Sequence, residues 1–177
     1  MSKTLEELGF KKTDGKDIDL LSLNPFKMIG KDWMLVTAGN ENSWNTMTAS
    51  WGFTGVMWGK NVAETVIRPQ RYTKEFIDSS EYFTLSFFDE SQRDILKYCG
   101  THSGRDVNKA GQTGLAAAKA GESIAFEQAK TVILCRKMFV QPMLSESFTD
   151  KKALEQWYPD NDFHVQYIGE IVAVYTK

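Results

Sequence analysis

Apolar and polar residues alternate along several short stretches of the chain, and this pattern predicts β-strands. In the clearest stretch, Phe83, Leu85 and Phe87 alternate with Thr84 and Ser86, a period of two that is typical of a half-buried strand. The predicted strands are Trp33–Thr37, Asn45–Trp51, Val62–Ile67, Tyr82–Phe88, Thr131–Val140 and Tyr167–Tyr175.

Helix signals lie between these strands. Thr73 is a predicted N-cap residue, and Ser91 with Asp94 has the Ser-x-x-acid form of an N-terminal cap. The stretch from Leu115 to Ala120 is helix-prone, although glycines stand on both sides of it. The predicted helices are Thr73–Ser80, a helix that follows Ser91, and Thr149–Trp157.

The order of these elements predicts the fold class. No strand–helix unit is repeated along the chain, which argues against a parallel sheet. Irregularly spaced strands with a few helices favour a mainly β fold, an antiparallel β-barrel with peripheral α-helices. Because no linker, internal repeat or low-complexity tract divides the sequence, we predict a single domain over residues 1–177.

Charge and apolar content exclude some classes of partner. The net charge of −2 argues against a nucleic-acid partner, because phosphate binding requires a basic excess. No run of about 18 apolar residues occurs, so we expect no membrane partner. Cys99 and Cys135 are isolated and do not suggest a disulfide framework. The start of the sequence has no signal-peptide pattern, and we expect a cytoplasmic protein.

Motifs for several common types of site do not occur in the sequence. His102 and His164 are far apart and have no cluster of further ligands near them, so we predict no metal site. A GxGxxG motif for a Rossmann-type dinucleotide site and a GxSxG motif for a hydrolase nucleophile are both missing. The segment 55–61 fails as a phosphate loop, because its glycine spacing is one residue short and Asn61 replaces the required Ser or Thr.

The segment from Arg68 to Thr73 has the chemistry of an anion site. It joins a predicted strand to a predicted helix, whose first N–H groups are free to bind an anion. Arg68 and Arg71 add planar cationic groups that suit phosphate oxygens, and Thr73 adds a hydroxyl. The alternative is a capped helix with two solvated arginines.

The segment from Asn45 to Gly52 has the chemistry needed to hold a flat ring. Ala49 and Gly52 are small enough to let a ligand approach the backbone, and Trp51 offers an apolar surface. On a regular strand Trp44 and Trp51 point to opposite faces, so at most one of them lines a pocket. The alternative is a barrel strand with ordinary core packing. Hydroxyl groups come from Thr46, Thr48 and Ser50.

These segments resemble a known family when they are taken together. Asn45–Gly52, Arg68–Thr73 and Phe83–Phe88 are similar to segments of the flavin-reductase-like, FMN-binding split-barrel family, and the flavoredoxin-like branch is the most similar. Gly100–Asp106 resembles the family's Ser-Gly-Arg-Asp loop, and Tyr167–Glu170 resembles part of its final strand. The resemblance extends from about residue 20 to the C-terminus, and its specificity lies in the order of the motifs.

The resemblance implies an antiparallel split β-barrel that binds FMN, with FAD as a further option if the pocket is open beyond the phosphate. Family members of this type are homodimers with FMN near the dimer interface, which implies a homodimer here. The loop of Ser103, Gly104 and Arg105 would then close the pocket, either that of its own subunit or that of the partner subunit. The residues implied along the flavin are Thr46, Met47, Thr48, Ala49, Ser50 and Trp51. Those implied at its phosphate are Arg68, Arg71, Tyr72 and Thr73.

Four further residues each have a functional interpretation and a structural one. The resemblance places His164 near the flavin, where it would orient a nicotinamide or move protons as the candidate catalytic residue; the alternative is a strand-start histidine bonded to a loop carbonyl. Trp157 and Tyr158 would form a lid over the ring, or would simply end an amphipathic helix. Cys99 precedes the Gly100–Asp106 loop; its two interpretations are a thiol near the flavin and a small buried hydrophobe, and we expect the second.

Three hypotheses for the function follow from the resemblance. The first is an FMN-dependent oxidoreductase, a flavin reductase that takes electrons from NADH or NADPH. The second is a flavoredoxin-like electron-transfer protein with a redox partner protein and no nicotinamide site of its own. The third is a non-catalytic split barrel that stores or senses a flavin. In the first two the cofactor carries the redox chemistry, which agrees with a sequence that has binding motifs but no acid–base constellation.

Overall fold

The computed structural model describes residues 2–20 and 22–177. Two very short elements, α1 (Pro25–Lys27) and the π-turn Met28–Asp32, precede the second strand. The other α-helices are α2 (Thr73–Ser79), α3 (Arg93–Thr101), α4 (Lys109–Thr113) and α5 (Lys151–Trp157). Short 3-10 helices span Gly15–Leu20, Glu90–Gln92 and Ser145–Ser147. The strands are β1 (Lys11–Asp14), β2 (Met34–Asn40), β3 (Ser43–Ala49), β4 (Gly52–Met57), β5 (Lys60–Ile67), β6 (Tyr82–Phe87), β7 (Ala117–Ala120), β8 (Ser123–Phe126), β9 (Thr131–Pro142) and β10 (Val165–Thr176).

One antiparallel sheet forms the frame of the molecule. Its strands lie in the order β3-β2-β6-β9-β10-β5-β4, and β1 pairs with the second half of β10. The strands β7 and β8 form a separate antiparallel hairpin. The sheet is not closed, and the helices lie at its periphery. The predicted mainly β fold with peripheral helices, a split barrel, is therefore confirmed.

Both faces of the sheet are buried along its central strands. Val36, Leu85 and Ile133 belong to one hydrophobic cluster, inside the curve of the sheet. Leu35 and Leu134, at alternate positions on the same strands, belong to a second cluster that includes residues of the β7–β8 hairpin. The hairpin thus covers a face that would otherwise contact water.

This second cluster corrects the predicted half-buried strand at 82–88. Thr84 and Ser86 are fully buried, although their polar character predicts an exposed face. The hairpin covers this face, and the Thr84 hydroxyl donates a hydrogen bond to the Ile124 carbonyl at 2.5 Å. A local period of two shows that a strand has two faces, but it cannot show what packs on the polar one.

The stretch 115–120, which is helix-prone in sequence, forms the strand β7 over its last four residues, Ala117–Ala120. The helix α4 ends at Thr113, and Gly114 follows in the left-handed region with a φ of 73°. Residues 117–120 then pair with β8 through a turn at Gly121, whose φ is 56°. Alanine favours helices, but a stretch this short takes the conformation that its tertiary partners allow.

Two predicted helix caps are also wrong. Tyr72 is the N-cap of α2, and Thr73 is the first helical residue, with its hydroxyl used elsewhere. Ser91 lies in a short 3-10 turn, and α3 begins at Arg93 without a side-chain cap. The predicted helix at 149–157 is confirmed as α5, where Asp150 accepts hydrogen bonds from the N–H groups of Lys152 and Ala153.

Within the described ranges, no helix has the length and apolar character needed to cross a membrane. Cys99 and Cys135 are both buried and free, and the burial of Cys99 agrees with the prediction.

Candidate functional site

A cavity of about 190 Å³ opens where β3 ends. Its walls come from the end of β3, from the end of β5 with the residues after it, and from the segment that precedes β10. The predicted ring segment and the predicted anion segment therefore do meet in space. The lining residues are Met47, Thr48, Ala49, Ser50, Trp51, Val66, Arg68, Arg71, Trp157 and His164. We call this space the ring cavity.

A second cavity of about 140 Å³ adjoins the first. The two share Met47 and Arg71 as lining residues, so they lie on either side of these side chains. We call this second space the polar cavity. Its lining residues are Asn45, Met47, Gln70, Arg71, Tyr72, Thr73, Thr101, His102, Ser103, Gly104 and Lys109.

The polar cavity contains a buried lysine, Lys109. Its ammonium group donates hydrogen bonds of 2.8 Å to the carbonyl oxygens of Thr46 and Cys99. Burial lowers the pKa of Lys109 to about 8, and the positive charge of Arg71 acts in the same direction. An ammonium group has three N–H donors, so a third hydrogen remains for a ligand in this cavity.

Arg71 is the cation that both cavities share. One of its guanidinium nitrogens donates to the Gly100 carbonyl at 3.1 Å, which holds the side chain against the start of the 100–106 loop. No ion pair involves Arg71 among residues 2–20 and 22–177. Its remaining N–H groups can therefore bind an anion.

Arg68, by contrast, is engaged by the protein. Its guanidinium group bonds to the Asp162 carboxylate and to the Trp157 carbonyl, the latter at 2.8 Å. It also lies over the Tyr158 ring, 5.1 Å from the ring centroid. Arg68 lines the ring cavity but not the polar cavity. In this position it fastens the segment 157–162 beside the ring cavity.

The loop after α3 closes the polar cavity from the same chain. Ser103 and Gly104 both line this cavity. A Cβ atom on Gly104 would lie 2.0 Å from the Asn45 side-chain oxygen, so the close approach of the loop requires glycine. The amide of Asn45 in turn donates to the Thr73 hydroxyl at 2.8 Å.

Arg105 lies outside both cavities and braces the loop. It forms an ion pair with Glu75 and lies 4.6 Å from the centroid of the Tyr72 ring. Thr46 is likewise outside both cavities, because its hydroxyl points into the core at 2.8 Å from the Thr37 hydroxyl. The remaining predicted site residues line one cavity or both.

Aromatic side chains form one wall of the ring cavity. Trp51 and Trp157 meet edge to face, with their ring centroids 4.9 Å apart. Trp51 also lies 5.2 Å from the His164 ring. Trp44 packs against Phe126 in the second hydrophobic cluster instead, which confirms that only one of Trp44 and Trp51 lines the pocket.

His164 is buried at the start of β10, and its ring bonds to the Tyr158 hydroxyl rather than to a loop carbonyl. Burial lowers the pKa of His164 to about 4, and the positive charge of Arg68 acts in the same direction. The imidazole is therefore neutral at pH 7. It offers this cavity a neutral polar group rather than a charge.

Sequence reasoning missed two residues of the site, Asn45 and Lys109. Asn45 belongs to the resembling segment, but its bond to Thr73 joins residues that lie far apart in the sequence. Lys109 follows Asn108, the N-cap of α4, and looks like any lysine at a helix start. Its burial arises only when α4 packs beside β3 and α3, and no local pattern signals this.

Comparison with protein-family models places residues 27–177 in the family described as the flavin reductase like domain. The match covers more than half of the chain and includes both cavities. The chain belongs to this family. The resemblance inferred from the sequence is confirmed. None of the curated proteins matches the chain.

Solved structures share the split-barrel fold of this flavin reductase like domain. An FMN-binding protein from Thermus thermophilus is 23% identical, with a TM-score of 0.62 over 81% of this chain and 69% of that chain. An FMN-binding domain of a flavin reductases-like enzyme from Shewanella baltica is 14% identical, with a TM-score of 0.67 over 99% and 78%. A flavoredoxin from Methanosarcina acetivorans is 19% identical, with a TM-score of 0.64 over 82% and 68%.

Proposed function

We propose that this domain binds FMN across the two adjoining cavities, with the phosphate in the polar cavity and the isoalloxazine in the ring cavity. The observation that carries the proposal is the division of the site into a cationic end and an aromatic end on either side of Met47 and Arg71. This division matches a molecule that has an anionic group at one end and a flat ring at the other. Structural neighbours whose names describe FMN binding also support the choice of FMN.

The polar cavity suits a phosphate group better than an uncharged one. Arg71 and Lys109 together provide two cations that have free N–H donors, and the Thr73 and Ser103 hydroxyls lie beside them. A phosphate monoester carries about −1.5 to −2 charges at neutral pH, which would balance the two cations. Binding this anion would also stabilise the protonated form of Lys109, whose ammonium is otherwise penalised by burial.

The ring cavity suits a flavin ring for a different reason. Met47 and the aromatic wall provide apolar surface, while Ala49 and Ser50 are small enough to admit a ligand close to the main chain. The neutral His164 adds a polar group without bringing a charge next to the ring. FMN, when bound, supplies the redox chemistry, and the protein orients it and shields it from water.

We further propose that the domain is an NAD(P)H-dependent flavin reductase. The exposed mouth of the ring cavity, where Trp157 is 46% exposed, leaves room for a donor nucleotide to approach. The same exposed aromatic surface also suits a redox partner protein, which makes flavoredoxin-like electron transfer the second candidate. The two candidates differ in the source of the electrons, and the FMN site is common to both.

An FMN titration tests the site, and anaerobic reduction tests the role. We expect FMN to bind with perturbed visible absorption, and Arg71→Ala and Lys109→Met to weaken it by about tenfold or more each, as expected for a lost charge-assisted hydrogen bond. Lys130→Met removes an exposed charge that lines neither cavity and is the matched control. Unchanged affinity in the Arg71 and Lys109 variants would contradict the phosphate assignment.

Adding NADH and then NADPH without oxygen separates the two candidate roles. Rapid bleaching of the bound flavin by either nucleotide is the result expected of a reductase and identifies the donor. Flavin that stays oxidised with both nucleotides but exchanges electrons with a redox protein would favour the electron-transfer role. Tight binding with no reduction by any donor would favour storage or sensing.

We also propose a homodimer, which is supported by an exposed apolar area on the outer face of the sheet. Phe53 on β4 and Phe139 on β9 are 41% and 38% exposed, whereas the two residues that pair between them, Glu64 on β5 and Ile168 on β10, are buried. Trp58 beside them is 54% exposed, with its ring centroid 6.0 Å from that of Phe139. Exposed patches of this kind mark association surfaces.

Sedimentation velocity measures the association state directly. We expect a dimer for the natural sequence and a monomer for Phe53→Lys, which places a charge at the β4 side of the apolar area. Leu144→Lys is the matched control, because Leu144 is 43% exposed in the connection between β9 and α5. A monomeric natural protein at micromolar concentration would contradict the homodimer.

A further inference from the structure

Tyr158 makes a buried hydrogen bond to the histidine of the ring cavity. Its hydroxyl oxygen lies 2.8 Å from the Nδ1 atom of His164. The same oxygen lies 3.4 Å from the Met143 sulfur. The tyrosine ring is held by Phe148, Phe163 and the guanidinium group of Arg68, so the hydroxyl has little freedom to move.

Only one proton lies between the tyrosine oxygen and Nδ1, and its position follows from the acceptors available. In one arrangement the tyrosine donates to Nδ1, and the imidazole carries its proton on Nε2. In the other arrangement Nδ1–H donates to the tyrosine, whose own hydrogen must then turn to the Met143 sulfur. A thioether is a weak acceptor and an imidazole nitrogen is a strong one, so the first arrangement is the more stable.

The other ring nitrogen of His164 is available to a ligand. Within the described part of the chain, Nε2 accepts or donates no hydrogen bond, yet it is not one of the buried polar atoms that lack a partner. It is therefore reachable by solvent even though the residue is only 8% exposed. Because His164 lines the ring cavity, this reachable atom is the one that a bound ligand can meet.

We propose that Tyr158 is a positioning residue that fixes His164 as the Nε2–H tautomer, so that a neutral imidazole donates a hydrogen bond to a carbonyl oxygen of a ligand in the ring cavity. The ligand part of this proposal rests on the proposed function. Two sources of such an oxygen fit the site, the carbonyl groups of a flavin ring and a carbonyl group of the second substrate. An acceptor group is required in both cases, and a ligand that offers only a donor at this point is disfavoured.

The charged groups around the pair favour this arrangement. Arg68 and Arg71 oppose a second proton on His164, whereas Asp162 acts in the opposite direction and is itself paired with Arg68. Burial also raises the pKa of Tyr158, so its hydroxyl keeps its hydrogen at neutral pH. Both partners are then neutral, and the hydrogen bond has a single proton to place.

Nitrogen NMR of the flavin-free protein tests the tautomer without any activity measurement. The chain has two histidines, so a sample with ¹⁵N-labelled histidine gives two ring systems, and His102→Gln assigns them. Protonated and unprotonated ring nitrogens differ widely in chemical shift. We expect His164 to show a protonated Nε2 and an unprotonated Nδ1, and Tyr158→Phe to move protons to Nδ1 in part of the population. A protonated Nδ1 in the natural sequence would overturn the proposal.

Two control variants separate the hydroxyl from the packing around it. Met143→Leu removes the competing acceptor and should leave the tautomer unchanged, whereas a changed tautomer would show that the sulfur holds the tyrosine hydrogen. Phe148→Leu disturbs the ring that contacts Tyr158 but keeps the hydroxyl, and it should also leave the tautomer unchanged. A shift with Phe148→Leu as large as that with Tyr158→Phe would assign the effect to packing and overturn the positioning role.

Binding measurements then identify the oxygen that accepts the bond. If the flavin provides it, Tyr158→Phe raises the Kd of FMN by about fivefold, the usual effect of one neutral hydrogen bond. If the second substrate provides it, the FMN Kd stays constant and the KM of that substrate rises by a similar factor. No change in either constant would overturn the donor role. If no variant binds FMN at all, the proposed function fails, while the NMR result still decides whether Tyr158 sets the tautomer.

Discussion

His164 should make the stability of this protein depend on pH in the mildly acidic range. Replacing it by Gln removes a group whose pKa falls from an ordinary value of 6.5 to about 4 on folding, because the ring is buried and faces Arg68. Between these two values the unfolded chain binds a proton on this residue and the folded chain does not. Stability therefore falls as the pH is lowered through this window, and it is fully present above it.

The size of the effect follows from the two pKa values. The full shift corresponds to about 3 kcal/mol, and linkage gives a loss of about 2 kcal/mol between pH 7 and pH 5. Urea unfolding at a series of pH values measures this directly. His164→Gln loses the bond to Tyr158 and starts from a lower stability, so the informative quantity is the difference between the two proteins. This difference should shrink by about 2 kcal/mol as the pH falls from 7 to 5.

The comparison of the two proteins also removes the contribution of other titrating groups, such as Glu64, whose pKa is raised by burial. His102→Gln retains His164 and should keep the pH dependence of the natural sequence. A stability difference between the natural protein and His164→Gln that stays constant from pH 7 to pH 5 would refute the reasoning. It would mean that the imidazole binds its proton as readily in the folded chain as in the unfolded chain, so that folding does not shift its pKa.

Three further predictions concern other residues. Gly104→Ala should weaken FMN binding by about tenfold, because the new Cβ would lie 2.0 Å from the Asn45 oxygen and would push the loop away from the polar cavity. An unchanged Kd for FMN in the titration would contradict this. Gly52→Ala should lower the free energy of unfolding by about 2–3 kcal/mol, because the φ of Gly52 is 148° and a Cβ there would lie 2.2 Å from a carbonyl oxygen of β5. Urea unfolding measures this loss, and a loss below about 0.5 kcal/mol would refute the prediction. Cys99, whose pKa burial raises to about 11, should react with a thiol reagent at pH 8 only after unfolding, and rapid labelling of the native protein would contradict this.

The strands of the main sheet were the most predictable part of the fold. All six predicted strands occur, because each has enough β-branched or aromatic residues to signal its state locally. The shorter strands β1, β4, β7 and β8 were missed. β4 contains two glycines, at positions 52 and 55, and β7 consists mainly of alanine. β4 and β7 owe their strand state to pairing with the strands that directly follow them, and β1 owes it to pairing with the distant β10.

The site was predictable as two segments but not as a geometry. The sequence predicts that Arg68 and Arg71 act together at a phosphate, because both stand at the start of a helix. In the structure only Arg71 reaches the polar cavity, since Asp162 and the Trp157 carbonyl engage Arg68. Asp162 lies far along the chain from both arginines, so the competition for Arg68 exists only after the chain has folded.

The position of β3 at the edge of the sheet has a consequence for how the site can evolve. Among residues 2–20 and 22–177, β3 pairs with β2 alone, so alternate main-chain groups face away from the sheet. The Thr46 carbonyl that accepts from Lys109 is one of them. A ligand that binds to such groups is recognised by peptide N–H and C=O groups, which every amino acid except proline provides in full. Substitutions along this edge can then accumulate over generations without erasing recognition, whereas a single proline or an inserted residue would shift the register and abolish it. Alanine scanning of this edge would for the same reason underestimate its importance.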